Sequence, residues 1–309
     1  YGLRGRPCHA MIQPTLHHLV LKDDLQSGGQ RRVAWWQWQH AACSHPEHVV
    51  LAVHGLTRQG RDFDALAQAL APHVRVVAMD VAGRGASDWL SDPARYAVPT
   101  YVADAVALIA HLQPQRLSWV GTSMGGLIGM VLLGSGAAQA HALVLNDVGP
   151  SLQWPALQRI GTYVGQAPTF ATEDQGVRHL ATLHQGFGAH TPAQWLALSR
   201  PMLRPAAGGW QLHYDPAIGH AFANMPASMD AAAQAAEQAL WAMYDAIGCP
   251  TLLLRGEHSD LLAPATAEAM TRRGPCATLR TVPDVGHAPT LVDATQVQWV
   301  SDFLLAHST

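Results

Sequence analysis

Apolar residues along this chain fall into two alternating rhythms. Short, nearly continuous runs such as "HVVLAVHG", "VRVVAMD", "RLSWVG" and "HALVLNDVG" are apolar on both faces, as strands sandwiched between helices must be. Between them lie segments with helical spacing. "GRDFDALAQALAPH" sets Phe63, Leu66, Ala67 and Leu70 on one face, and "TYVADAVALIAHL" sets Val102, Val106, Ile109 and Leu112 along one stripe. "SMGGLIGMVLLGSG" reads as a third helix. The pattern β-α-β-α-β-α-β requires a mostly parallel sheet covered on both faces. Two earlier extended runs, Leu16 to Leu21 and Val33 to Gln39, are expected to add an antiparallel edge.

After Pro150 the rhythm changes. Residues 151–245 hold amphipathic segments such as "WPALQRIGTYVG" and "MDAAAQAAEQALWAMYDAI" and no convincing strand, and they carry too many large apolar residues to stay solvated. From Pro250 the alternation resumes with "TLLLRGE", "PATAEAMTRR", "ATLRTVPDVGH" and "DATQVQWVSDFLLAH". The expected organisation is therefore an α/β core over residues 16–150 and 246–309, interrupted by a helical cap over 151–245. Residues 1–15 read as a tail.

Composition narrows the functional classes. The 309 residues are 49% hydrophobic and 13% charged, enough for one large core. A formal charge of −3 gives no reason to expect a nucleic-acid partner, and no apolar run is long enough for a membrane span. Cys8, Cys43, Cys249 and Cys276 form no C-x-x-C or zinc-type spacing, so free thiols and a cytoplasmic location are expected. No export leader pattern is seen. Eighteen histidines invite a metal reading, but they are scattered without ligand spacing, and no metal is expected.

The candidate chemistry lies where strand meets helix. Gly121-Thr122-Ser123-Met124-Gly125 matches G-x-S-x-G between a strand and a helix, the context in which that pattern lifts a serine onto a tight corner. At a helix N-terminus, free N–H groups and the dipole favour developing negative charge. A serine hydroxyl needs a base, and His287 in "VPDVGHAP", after the last strand, is the candidate. The orienting acid is expected at Asp260 in "RGEHSDLL", with Asp147 in "LVLNDVGP" as the alternative; Glu257 and Asp284 read as solvated loop charges. Gly55 after "VVLAVH" allows a close backbone approach. The N–H groups of Leu56 and Met124 are then the expected oxyanion hole, with His54 a structural hydrogen bonder beside it.

Together, "HGL" at 54–56, "MDVAGRGASD" at 79–88, "GTSMGG" at 121–126, "SDLL" at 259–262 and "GHAP" at 286–289 resemble the α/β-hydrolase-fold serine hydrolases, from Val49 to the C-terminus. That resemblance implies an α/β-hydrolase fold with neither metal nor organic cofactor. Dehalogenases and epoxide hydrolases of the same fold use Asp as nucleophile, and Ser123 argues against both. The expected activity is hydrolysis of small to medium acyl or aryl carboxylic esters through an acyl-enzyme. The alternatives are C–C bond hydrolysis of meta-ring-cleavage products and a non-catalytic ligand-binding member of the fold. Lactonase or perhydrolase chemistry would use the same residues. Arg58, Trp154, Tyr163 and Trp210 are the candidate substrate contacts.

Overall fold

A computed structural model describes residues 11–223 and 225–308. Cys8 and the first ten residues of the expected tail lie outside the described residues. Of the remaining tail, Ile12 is clasped at both polar backbone groups: its N–H donates to Gln68 Oε1 and its carbonyl accepts from Gln68 Nε2.

The chain opens with β1 (Thr15–Lys22), β2 (Gln30–Trp38) and β3 (His45–Val53), followed by α1 (Asp64–Leu70), β4 (Val74–Asp80), α2 (Val98–Leu112), β5 (Arg116–Thr122), α3 (Met124–Gly134) and β6 (Ala142–Asn146). An insertion follows, holding α4 (Trp154–Gly161), β7 (Thr169–Phe170), α5 (Glu173–Leu183), α6 (Pro192–Ser199), β8 (Leu203–Ala206), β9 (Gly209–Leu212), α7 (His220–Ala223) and α8 (Ala231–Asp245). The core is completed by β10 (Thr251–Gly256), α9 (Pro264–Met270), β11 (Thr278–Val282) and α10 (Ala294–Ala306).

Eight strands form one sheet in the order β1-β2-β4-β3-β5-β6-β10-β11. Pairing is parallel from β4 to β11, while β1 and β2 add the expected antiparallel edge. The double burial of the central strands is explicit in β3. Val49, Leu51 and Val53 join the core that includes Tyr101, Leu108, Ile128 and Leu132 of α2 and α3, whereas Val50 and Ala52 join the core with Leu66, Leu70, Val300 and Leu304 of α1 and α10. Successive side chains of a strand point to opposite faces, so a strand that feeds two cores must be apolar throughout.

Two features of the insertion differ from expectation. It contains a small antiparallel sheet, β7-β9-β8, where only helices were expected. Its strands span two to four residues and one contains Pro205, too short for period-two alternation to register. The turn chemistry was visible: Ala207-Gly208 links β8 to β9, with Gly208 at φ +83°. In addition, α8 packs along α3, with Gly134 against the Met243 backbone, and the Tyr244 hydroxyl donates to the Met270 carbonyl. That helix thickens a sheet layer.

The rest of the insertion is fastened to the core by named contacts. Asp215 accepts from the Tyr96 hydroxyl at 2.5 Å, Arg58 Nη2 donates to the Leu198 carbonyl at 2.8 Å, and Gln59 Nε2 donates to the Pro201 carbonyl. The Gly286 N–H donates to the Gly186 carbonyl at 2.7 Å.

Candidate active site

β5 carries the chain into α3 through a single residue, Ser123, at φ +52° and ψ −115°. A non-glycine residue at this φ is strained, and its surroundings hold it there. The Ser123 N–H donates to the Asn146 carbonyl, and its own carbonyl accepts from the N–H groups of Gly126 and Leu127. The corner is so tight that a Cβ on Gly125 would fall onto the Val53 carbonyl oxygen, and one on Gly121 onto the Gly125 backbone. This is the physical content of the two glycines in the motif.

Ser123 Oγ lies 2.9 Å from His287 Nε2, and His287 Nδ1 lies 2.7 Å from Asp147 Oδ2. A carboxylate only accepts, so Nδ1 carries the proton and Nε2 is left to accept from the serine hydroxyl. Asp147 is fully buried, at φ +56°, and receives two further donors: the Gly256 N–H on Oδ1 at 2.8 Å and the Ser259 hydroxyl on Oδ2 at 2.6 Å. Asn146, its neighbour, ties the site together by donating to Thr122 Oγ1 and to the Pro289 carbonyl.

Asp260 does not face His287. The expectation that placed the acid there is corrected by geometry: Asp260 lies on an exposed turn beyond β10, paired with Arg159 of α4 at 2.7 and 3.0 Å. In this turn the adjacent Ser259 points inward, to Asp147, and Asp260 points out. The position against His287 falls to the alternative, Asp147.

Leu56 and Met124 flank Ser123, and among the described residues neither N–H has a protein acceptor. The Leu56 loop is held from behind by Arg84, which is fully buried. Its Nε donates to the Leu56 carbonyl at 2.8 Å, its Nη1 to the Ala82 carbonyl and the Tyr101 hydroxyl, and Nη2 approaches Met124 Sδ at 3.7 Å. Sequence reasoning passed over this arginine, whose signal was a cation flanked by glycines in "AGRGAS". His54 behaves as a structural hydrogen bonder. Its Nδ1–H donates to the Gly55 carbonyl, its Nε2 accepts from the Val81 N–H, and burial pulls its pKa down to about 3, so the ring is neutral.

Two lobes of open space meet at Ser123. The larger, about 430 Å³, runs past His287 and is walled by Arg58, Arg159, Tyr163, His184, Phe187 and Asp260. The smaller, about 280 Å³, passes Met124 and is walled by Leu127, Val148, Leu152, Leu157, Phe222 and Tyr96. Of the four candidate substrate contacts, Arg58 and Tyr163 line the larger lobe. Arg58 is buried, held on Asp62 at 2.6 and 2.8 Å as well as on Leu198. Trp154 and Trp210 line neither lobe; Trp154 donates to the Pro226 carbonyl, and Trp210 sits in β9 opposite Phe170 and Pro205. His184 was not foreseen. Burial and the nearby Arg58 charge lower its pKa to about 3, so it presents a neutral ring. Glu257 and Asp284 occupy exposed loops, as expected of solvated charges.

The fold and this site define a class. Residues 49–298 match the Alpha/beta hydrolase family, and the chain belongs to it. It is 45% identical over 283 residues to the 3-hydroxybutyrate-oligomer hydrolase of Cupriavidus necator, covering 90% of this chain and 94% of that one. It is also 27% identical over 258 residues to the pimeloyl-[acyl-carrier protein] methyl ester esterase of Xanthomonas campestris, covering 81% and 91%. The solved structure of an alpha/beta hydrolase from Novosphingobium aromaticivorans superposes with a TM-score of 0.81 at 32% identity, covering 96% of this chain and all of that one.

Proposed function

We propose that this protein is a serine esterase that cleaves short oligoesters of small hydroxy acids, 3-hydroxybutyrate oligomers among them. One observation carries the chemistry: the unbroken path from the buried Asp147 carboxylate through His287 to Ser123 Oγ. The substrate class is supported by the 45% identity to the Cupriavidus enzyme along nearly the full length of both chains.

In this reading His287 Nε2 takes the hydroxyl proton as Ser123 Oγ attacks the ester carbonyl carbon. The Leu56 and Met124 N–H groups receive the negative oxygen that forms, while Asp147 keeps the imidazole in the required tautomer and stabilises its charged form. The C–O bond to the alcohol then breaks as His287 returns its proton to the departing oxygen. Water, deprotonated by the same nitrogen, attacks the acyl-enzyme, and the acid leaves as Ser123 recovers its proton. Residues 151–245, without the α8 layer, act as a cap that bounds the two lobes and excludes bulk water.

C–C bond hydrolysis of a ring-cleavage product would call for cations free to meet two carboxylates. Arg58 is buried on Asp62 and the Leu198 carbonyl, which leaves Arg159 as one half-exposed guanidinium for two carboxylates, and this favours the ester. A silent triad would favour the ligand-binding alternative, and here each member has its partner within hydrogen-bond reach.

The test is turnover of a 3-hydroxybutyrate trimer and of p-nitrophenyl butyrate by the wild type and by Ser123→Ala. The wild type is expected to cleave both, and the variant to lose at least about 10³-fold in kcat on each. Equal activity of the variant would remove Ser123 from the chemistry. Cleavage of the aryl ester alone would keep the esterase and discard the oligoester substrate.

A further inference from the structure

The two lobes differ in chemistry, and the catalytic geometry assigns each a side of the scissile bond. His287 must hand its proton to the departing oxygen, so the alcohol half of the ester lies on the His287 side. The larger lobe has Gly286, His287 and Ala288 in its wall. The smaller lobe touches Ser123 and Met124 and does not reach His287, so it takes the acyl half.

The acyl lobe has no charged side chain in its wall. Its wall is almost wholly aliphatic and aromatic, and its two phenols are held by bonds to the surrounding protein. The Tyr96 hydroxyl donates to Asp215 and accepts from the Leu90 N–H, and the Tyr101 hydroxyl accepts from Arg84. A carboxylate placed there would be desolvated with no cation beside it, which is costly. The alcohol lobe is different. Arg159 stands in its wall half-exposed, with Tyr163 beside it, and its charge is reinforced by Asp260 and Tyr163. A guanidinium has five N–H donors; Asp260 takes one on Nε and one on Nη2, and Tyr163 takes a third at most. Donors therefore remain for a second carboxylate, and the Asp260 pair fixes the plane in which they point.

Resting on the oligoester reading above, we propose that Arg159 binds the free carboxylate end of the substrate, so that the chain lies in one direction across Ser123. In a linear oligomer of a hydroxy acid, the alcohol half of any internal ester carries the free carboxylate and the acyl half carries the free hydroxyl. The polar lobe thus receives the end that is charged, and the apolar lobe receives the neutral end. Arg159 is a specificity-determining residue, and Asp260 positions it; the acid expected of the triad serves substrate choice instead.

The experiment compares the 3-hydroxybutyrate trimer as free acid with the same trimer capped as its C-terminal primary amide, in the wild type, Arg159→Gln and Arg159→Lys. Ester cleavage is followed by chromatography of the products. The ratio of kcat/KM between the two substrates is read, so any loss common to both cancels. The wild type is expected to favour the acid by about tenfold or more, the scale of a charge-assisted hydrogen bond. Arg159→Gln brings the ratio near one, and Arg159→Lys, which keeps the charge without the planar fork, falls between. A wild-type ratio near one, or a ratio that survives in Arg159→Gln, overturns the assignment while leaving the oligoesterase standing. No cleavage of either trimer, alongside Ser123-dependent hydrolysis of p-nitrophenyl butyrate, overturns both.

Discussion

Three donors converge on the Asp147 carboxylate, from His287, Gly256 and Ser259, inside a fully buried pocket. Replacing one oxygen by an amide nitrogen would turn the His287 contact from acceptor to donor and select the wrong imidazole tautomer. Asp147→Asn is accordingly expected to lower kcat on p-nitrophenyl butyrate by about 10⁴, the scale of such a tautomer error in serine hydrolases. Asp260→Asn should cost far less on this uncharged ester, because its carboxylate meets Arg159 and not His287. A loss at Asp260 as large as that at Asp147 would return the role to Asp260. Both acids stand just beyond a buried strand and both keep the order Ser-Asp-His, so spacing could not separate them. What separates them is which way one turn faces. The inward side chain after β10 is Ser259, and a sequence does not state the handedness of a turn to within one residue.

At the scale of elements, the corner between β5 and α3 was legible because its requirements are steric: no side chain fits at Gly121 or Gly125, and few residue types satisfy that. The loop after β3 was legible only in part. Its glycine and its histidine could be read, but its support comes from Arg84, more than two dozen residues later, along a contact that no local pattern records. That arginine has no carboxylate partner within ion-pair distance among the described residues, and it reaches both the Leu56 carbonyl and the Met124 sulfur. Arg84→Met removes the donor that pins the Leu56 carbonyl. The expected result is a fall of about 10- to 100-fold in kcat with little change in KM, somewhat below the loss of an oxyanion donor itself. Thermal melting of the same sample would establish that the variant is folded. An unchanged kcat in folded protein would mean that the loop holds its position without Arg84. In the insertion, the amphipathic helices were readable from periodicity, and the three short strands were not, since a two-residue strand has no period.

The whole molecule holds several histidines that folding strips of water. Burial lowers the pKa of His48 to about 4 and those of His54 and His184 to about 3. In the unfolded chain these rings titrate near 6.5, so below that pH the unfolded state binds more protons than the native one. The contribution of these three rings is thus fully present above pH 6.5 and is lost as pH falls through the window from 6.5 to about 4, by roughly 1.4 kcal/mol per pH unit for each histidine. Buried Asp80, raised to about 6, acts in the opposite sense between its ordinary value and 6, and offsets about one of the three. His48 lies away from the two lobes, with Nε2 on the Ser118 hydroxyl. His48→Gln should flatten the pH dependence of urea unfolding between 6.5 and 4 by about one proton, and an unaltered slope would mean that His48 does not titrate with folding.

The sheet order gives this protein a particular chronology. Ser123 and Asp147 belong to the stretch before the insertion, while His287 and the Gly256 and Ser259 donors belong to the stretch after it, brought alongside when β10 pairs with β6. In the proposed mechanism, Ser123 therefore has no base to arm it until the stretch after the insertion has joined the sheet. A site split in this way cannot be half armed: it waits for the two flanks of the insertion to meet.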